Sequence, residues 1–241
     1  SSGYRSYRPE LVPEGHAGIA VFSYGGGLVW LAALEPDVRE QVRFTVSFGG
    51  YHDLHSIVTY FTTGYYRETP GADWQYRIPH SYLKWVFTLS NADLLERARD
   101  RATLRRLAHW TDDDNGTDIT TLNLAADAQA LYALLSNEEP DRVPALIAQL
   151  SPRIRNELEG INPAARHLSA MRAQVILMHG RGDTFIPYTE SIALARALPA
   201  GQVKLFIIEG YAHTSVRPQR EDIPQFLDMM AALLEQRMAV E

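Results

Sequence analysis

Three residues have side chains that could act as one reactive unit: Ser23 with a hydroxyl, His213 with an imidazole and Asp183 with a carboxylate. A serine hydroxyl is a weak nucleophile until a base takes its proton and a third group orients that base. Ser23 stands in "GIAVFSYGGGLVWLAAL", Gly18 to Leu34, where an apolar run meets a serine, then Gly25, Gly26 and Gly27, and resumes with Leu28, Leu31, Ala32 and Leu34 at helical spacing. The pattern predicts a strand that delivers Ser23 into a sharp turn with a helix directly behind it. Glycines there are expected to let the backbone fold tightly beneath the side chain. The start of a helix favours developing negative charge, and the backbone N–H of Tyr24 can donate to an oxyanion. The plain alternative is a glycine-rich turn with an incidental serine. Asp183 follows the apolar run in "VILMHGRGDTFIP", and His213 follows the one in "LFIIEGYAHTSV".

The elements that must position these residues can be read from four short runs rich in β-branched and aromatic residues: Ala17 to Phe22, Val42 to Phe48, Ala173 to Met178 and Val203 to Ile208. They are apolar enough to be buried on both faces. Helical patterns follow the first, third and fourth. The last helix is expected to bury Ile223, Phe226, Leu227, Met230, Leu233 and Leu234 on one face. Alternation of strand and helix predicts an α/β fold with a parallel sheet. Ser23, Asp183 and His213 then share its carboxyl edge, where such sheets place their sites.

Between Phe48 and Ala173 lie 124 residues (49–172), far beyond a crossover helix of about 10–15 residues. A helical insertion is therefore expected, which divides the chain into a first core segment 1–55, an insertion 56–159 and a second core segment 160–241. Candidate helices lie near 79–90, 91–109, 120–136 and 141–158. Nine aromatic residues fall within the 28 positions from Tyr60 to Phe87, and the insertion's own core accounts for most of them, leaving two or three to line an apolar cleft.

Composition narrows the partners. A net charge of −6 with no basic cluster argues against nucleic acid. No apolar run approaches the roughly 18 residues that cross a bilayer, and the opening residues carry no signal-peptide pattern, so no membrane address is read and a cytoplasmic location is expected. With no cysteines, disulfides, thiolate catalysis and cysteine-ligated metals are excluded. His52 and His55 with Asp53 between them lack a further ligand cluster. "TDDDNGTD", Thr111 to Asp118, fails the calcium-loop pattern because Thr111 and Leu122 fall at its first and twelfth positions. Arg181, Gly182 and Asp183 spell an adhesion tripeptide, read as coincidence.

"FSYGGG", "SFGGYHDL", "HGRGDTFIPYTES" and "GYAHTS" resemble, in that order, the nucleophile turn, the next strand end, the acid loop and the histidine loop of α/β-hydrolases. The likeness is to the esterase, dienelactone-hydrolase and prolyl-oligopeptidase-like branches, and it covers roughly residues 17–55 and 161–241, including the chain order Ser, Asp, His. It implies Ser23 as nucleophile, His213 as base and then acid, Asp183 as its orienting carboxylate and Tyr24 N–H as one oxyanion donor. It also implies a helical cap, no metal or organic cofactor, and a small acyl substrate such as a carboxylic ester. Asp53, just after the second strand, is the alternative acid. An oligopeptidase-like peptidase and a non-catalytic, hydrolase-like protein are the other readings. Two departures stand out. Val21 occupies the place, two before the serine, where the family usually has a small residue, and its bulk is expected to crowd the turn. The family's sheet begins with several further strands and a loop that supplies a second oxyanion donor, whereas sixteen residues precede Ala17. The chain is therefore expected to hold the carboxyl-terminal half of the sheet, as an N-terminally truncated piece. His179-Gly180 cannot replace that loop, because it leads into the acid.

Overall fold

A computed structural model describes residues 17–108, 123–213, 215–216 and 219–238; "TDDDNGTD" lies outside them. Among these residues the strands are β1 Ala17–Phe22, β2 Val42–Phe48, β3 Tyr65–Tyr66, β4 Gln75–Tyr76, β5 Gln174–Gly180, β6 Val203–Ile208, β7 Tyr211–Ala212 and β8 Ser215–Val216. The helices are α1 Gly25–Leu34, α2 Pro36–Arg39, α3 Leu54–Thr63, α4 Ser81–Ala92, α5 Ala98–Leu107, α6 Ala126–Leu135, α7 Val143–Gln149, α8 Pro152–Gly160, α9 Thr189–Ala197 and α10 Ile223–Met238. They form two compact units.

The first unit holds the described residues of 17–52, 163–183 and 190–238. Its core is a sheet in the order β1-β2-β5-β6, with every neighbouring pair parallel. Side chains alternate between its faces. Trp30 and Ala33 of α1, with Leu194 of α9 and Leu198 just after it, pack on Val42, Val175 and Leu177. On the other face, Met229 and Ala232 of α10 pack on Val46, Ile176, Met178 and Ile208. Pairing of Ala17 with Val42 but of Gly18 with Phe44 leaves Arg43 as an extra residue in β2. This bulge switches the strand's parity, so Val42 joins the α1 face while Phe44, Val46 and Phe48 join the α10 face.

The predicted face of α10 is corrected. Phe226 and Leu233 pack with Met229 and Ala232, but Ile223, Leu227, Met230 and Leu234 are exposed. At about 100° per residue the exposed four form their own stripe, roughly a quarter-turn or more from the packed one. The apolar pattern is wider than the surface the sheet offers.

The second unit holds the described residues 53–108, 123–162 and 184–189 and contains α3 to α8 with the β3–β4 pair. Helix α3, which follows β2, is capped by Asp53 and ends at Gly64 in the left-handed region, φ 80°. The helix expected over 141–158 is two: α7 stops at Leu150, and Ser151 caps α8 with Pro152 at its first position. A proline cannot continue the preceding helix. The helix expected over 91–109 starts only at Ala98, after turns at Leu94 and Leu95. Of the clustered aromatics, Tyr60, Phe61, Tyr66 and Phe87 are buried, with Phe61 and Phe87 centroids 5.0 Å apart. Tyr76 and Tyr82 are exposed.

Candidate active site

Extended backbone at Phe22 becomes helical at Tyr24, φ −56° and ψ −26°, through a single residue. That residue is Ser23, at φ 56°, in the left-handed region that costs a non-glycine residue about 1–2 kcal/mol. The bend is locked from both sides, since Ser23 N–H donates to Phe48 O at 2.8 Å and Ser23 O accepts from Gly26 N–H at 3.0 Å. None of the three glycines takes a positive φ, so they serve the tight fold expected of them without bearing the strain of the turn. Their service is close approach. A β-carbon at position 26 would lie 2.8 Å from Gly50 Cα, and one at 27 would lie 2.0 Å from the Tyr51 ring. Val21 does not crowd the turn, because the residue facing it is Gly25, where even a β-carbon would sit at 3.9 Å, an ordinary contact.

The acid and the histidine come from neighbouring strand ends. A β-carbon at Gly180, the last residue of β5, would strike Tyr211 O at 1.9 Å, so glycine lets the acid loop lie against the histidine loop. Asp222, buried, accepts from Glu209 N–H at 2.9 Å and Gly210 N–H at 2.7 Å and so anchors the approach to His213. His213 has φ 43°, and its carbonyl accepts from the Tyr211 hydroxyl at 2.5 Å. His213 Nδ1 meets Asp183 Oδ2 at 2.7 Å. With the carboxylate accepting only, Nδ1 carries the proton and Nε2 is left as the basic nitrogen.

Asp183 is wholly buried. Burial pushes its carboxyl up, but hydrogen bonds from His179 and His213 outweigh that and bring it down to about 2. A carboxyl held below its ordinary 3.8 stabilises the folded state above that value, and the contribution is lost as pH falls from there through about 2. Burial also rules out Asp183 as part of an adhesion surface.

Gly49 joins the serine to this pair. It follows Phe48, the acceptor of Ser23 N–H, and has φ 63°. A β-carbon there would be 3.2 Å from Asp183 Oδ2 and 3.5 Å from His213 Nδ1. Gly49 thus lies between the strand end that accepts from Ser23 N–H and the Asp183–His213 pair. Tyr24 is buried enough that its hydroxyl is pushed up, and its ring lies 5.0 Å from that of Tyr51. Its backbone N–H sits at the start of α1, as the sequence placed it. Asp53 is occupied elsewhere: it caps α3, accepting from His55 N–H at 3.0 Å and the Ser56 hydroxyl at 3.2 Å. His55 faces Glu159 at 2.9 Å. Among the described residues, no three His, Cys, Asp or Glu side chains cluster as metal ligands, and no helix is long and apolar enough to cross a membrane.

The sequence reading passed over Gly49, Asp222 and Ser191. Only Gly49 left a signal, in the paired glycines that end β2.

A parallel sheet with helices on both faces, a strained serine between strand and helix, and an acid and a histidine on later strand ends define an α/β-hydrolase-type fold. No protein-family model and no curated protein sequence matches the chain. Among solved structures it is similar to a meta-cleavage product hydrolase from Pseudomonas fluorescens, with 16% identity over 97% of this chain and 68% of that one and a TM-score of 0.39. It is also similar to an alpha/beta fold family hydrolase from Bacillus anthracis, with 17% identity, coverage of 93% and 69%, and a TM-score of 0.44. For alpha/beta hydrolase domain-containing protein 10 from mouse the values are 14%, 95% and 65%, and 0.43. The chain spans roughly two thirds of the length of each.

Proposed function

We propose that the protein is a serine hydrolase that cleaves a carboxylic ester or a similar small acyl compound. Ser23 is the nucleophile, His213 the base and Asp183 its orienting carboxylate. The observation that carries this reading is the left-handed φ of Ser23 at the end of β1, a strained conformation that a merely connecting residue has no reason to hold. The His213–Asp183 contact of 2.7 Å supports it. In the reaction, His213 Nε2 takes the Ser23 proton and Oγ attacks the carbonyl carbon. The tetrahedral oxyanion accepts from Tyr24 N–H, and His213 then returns the proton to the departing alkoxide. Water repeats the sequence to release the acid.

The test is labelling with a fluorophosphonate probe together with hydrolysis of an activated short-chain ester. Wild type is expected to be labelled at Ser23 and to turn over the ester. Ser23→Ala should lose both with an unchanged unfolding midpoint, and Asp183→Asn should lower kcat by about a thousandfold or more. An unlabelled, folded, inactive wild type would sink the proposal. Because hydrogen bonds from His179 and His213 hold the Asp183 carboxyl down to about 2, the orienting carboxylate is expected to stay ionised throughout the mildly acidic range, so activity that Asp183 supports should not fall with its protonation until the pH approaches that value.

A further inference from the structure

Asp183 has a second histidine. His179, on β5, is fully buried, and its Nε2 lies 3.4 Å from Asp183 Oδ2, the same oxygen that His213 Nδ1 meets at 2.7 Å. Its other ring nitrogen, Nδ1, is 2.7 Å from Ser191 Oγ, near the start of α9 and itself buried. Ser191, His179, Asp183 and His213 therefore form one line of polar groups, from the helix-covered face of the sheet to the carboxyl edge. A carboxylate only accepts, so Nε2 of His179 carries a hydrogen toward Asp183, and in the neutral imidazole Nδ1 then accepts from the Ser191 hydroxyl.

A buried carboxylate needs several donors to be tolerated, and in a close-packed interior its orientation is fixed by whatever holds it from behind. His213 alone cannot fix Asp183, because His213 sits on a loop and is the group to be oriented. His179 is on a central strand, locked by a helix. Tyr211 is the other titratable neighbour whose charge couples to the carboxylate.

We propose that His179, anchored by Ser191, is a positioning residue for the reaction: it holds the Asp183 carboxylate so that Oδ2 presents a fixed acceptor to His213. This rests on the serine-hydrolase reading above.

The test compares His179→Leu, His179→Gln and Ser191→Ala with wild type, using kcat and KM on an activated short-chain ester and the downfield Nδ1 proton resonance of His213. Loss of a hydrogen bond to a charged group predicts that His179→Leu lowers kcat about tenfold with KM within about twofold. His179→Gln, which keeps an amide N–H near the position of Nε2, should recover most of that loss. The His213 resonance should move in His179→Leu and return towards its wild-type place in His179→Gln. Ser191→Ala should reproduce the direction of both changes more weakly, and it decides the matter if His179→Leu does not fold. The proposal is overturned if wild type is active and labelled at Ser23 while the folded variants match it in kcat and in the resonance. It is equally overturned if His179→Gln, with an unchanged unfolding midpoint, is no better than His179→Leu. A wild type that is folded, inactive and unlabelled removes the hydrolase reading itself, and this proposal with it.

Discussion

The two faces of the sheet are unequally clad. On one, α1 and α9 cover the strands so fully that Trp30, Val175, Leu177 and Leu194 are sealed from solvent. On the other, α10 lies on β5 and β6 and seals Ile176 and Ile208, while over β1 and β2 Phe44 and Phe48 stay half-buried. Phe22 is 66% exposed there, stacked on Phe48 at 4.6 Å. Parallel sheets are ordinarily buried on both faces. The contrast teaches where this unit's stability resides, and that, among the described residues, the strand ending at Ser23 is held chiefly from one side and by β2.

Substitutions can break or sharpen this contrast. Trp30→Ala, on the sealed face, should cost the most, about 3–5 kcal/mol in urea unfolding. Met229→Ala, on the side of α10 that packs on the sheet, should cost about 2 kcal/mol, since a face already open at its rim relaxes more easily into the space. Phe22→Ala should cost about 1 kcal/mol, the stacking on Phe48 being its main contact. Leu227→Gln, on the exposed stripe of α10, should change stability by less than about 0.5 kcal/mol. If Leu227→Gln proves as costly as Met229→Ala, that stripe is covered in solution and the contrast fails.

Much of the first unit is legible in the sequence because short, doubly buried strands are written as unbroken apolar runs, and β1, β2 and β6 have the bounds those runs predict. The ends of the runs also place Ser23, Asp183 and His213 on one edge. The face of α10 is not legible. Periodicity reports how much of a helix is apolar, whereas the partner surface decides which part is packed. Nor does sequence reveal which residue bears the strain of the turn. Three glycines after a serine invite the inference that glycine does so, yet they relieve collisions with Gly50 and Tyr51 while Ser23 takes the unfavourable φ. Asp222 and Ser191 act through contacts that span loops, which no local spacing encodes. The break at Pro152 was legible from the proline and was overridden by the apolar pattern around it.

Gly49 carries a consequence of its own. It is confined twice over, by a backbone twist that side chains disfavour and by the absence of room beside Asp183. A single added methyl group there would leave Ser23, Asp183 and His213 in place in the sequence and still press on the buried carboxylate, so a position with no chemistry to its name constrains this edge as tightly as those that have it.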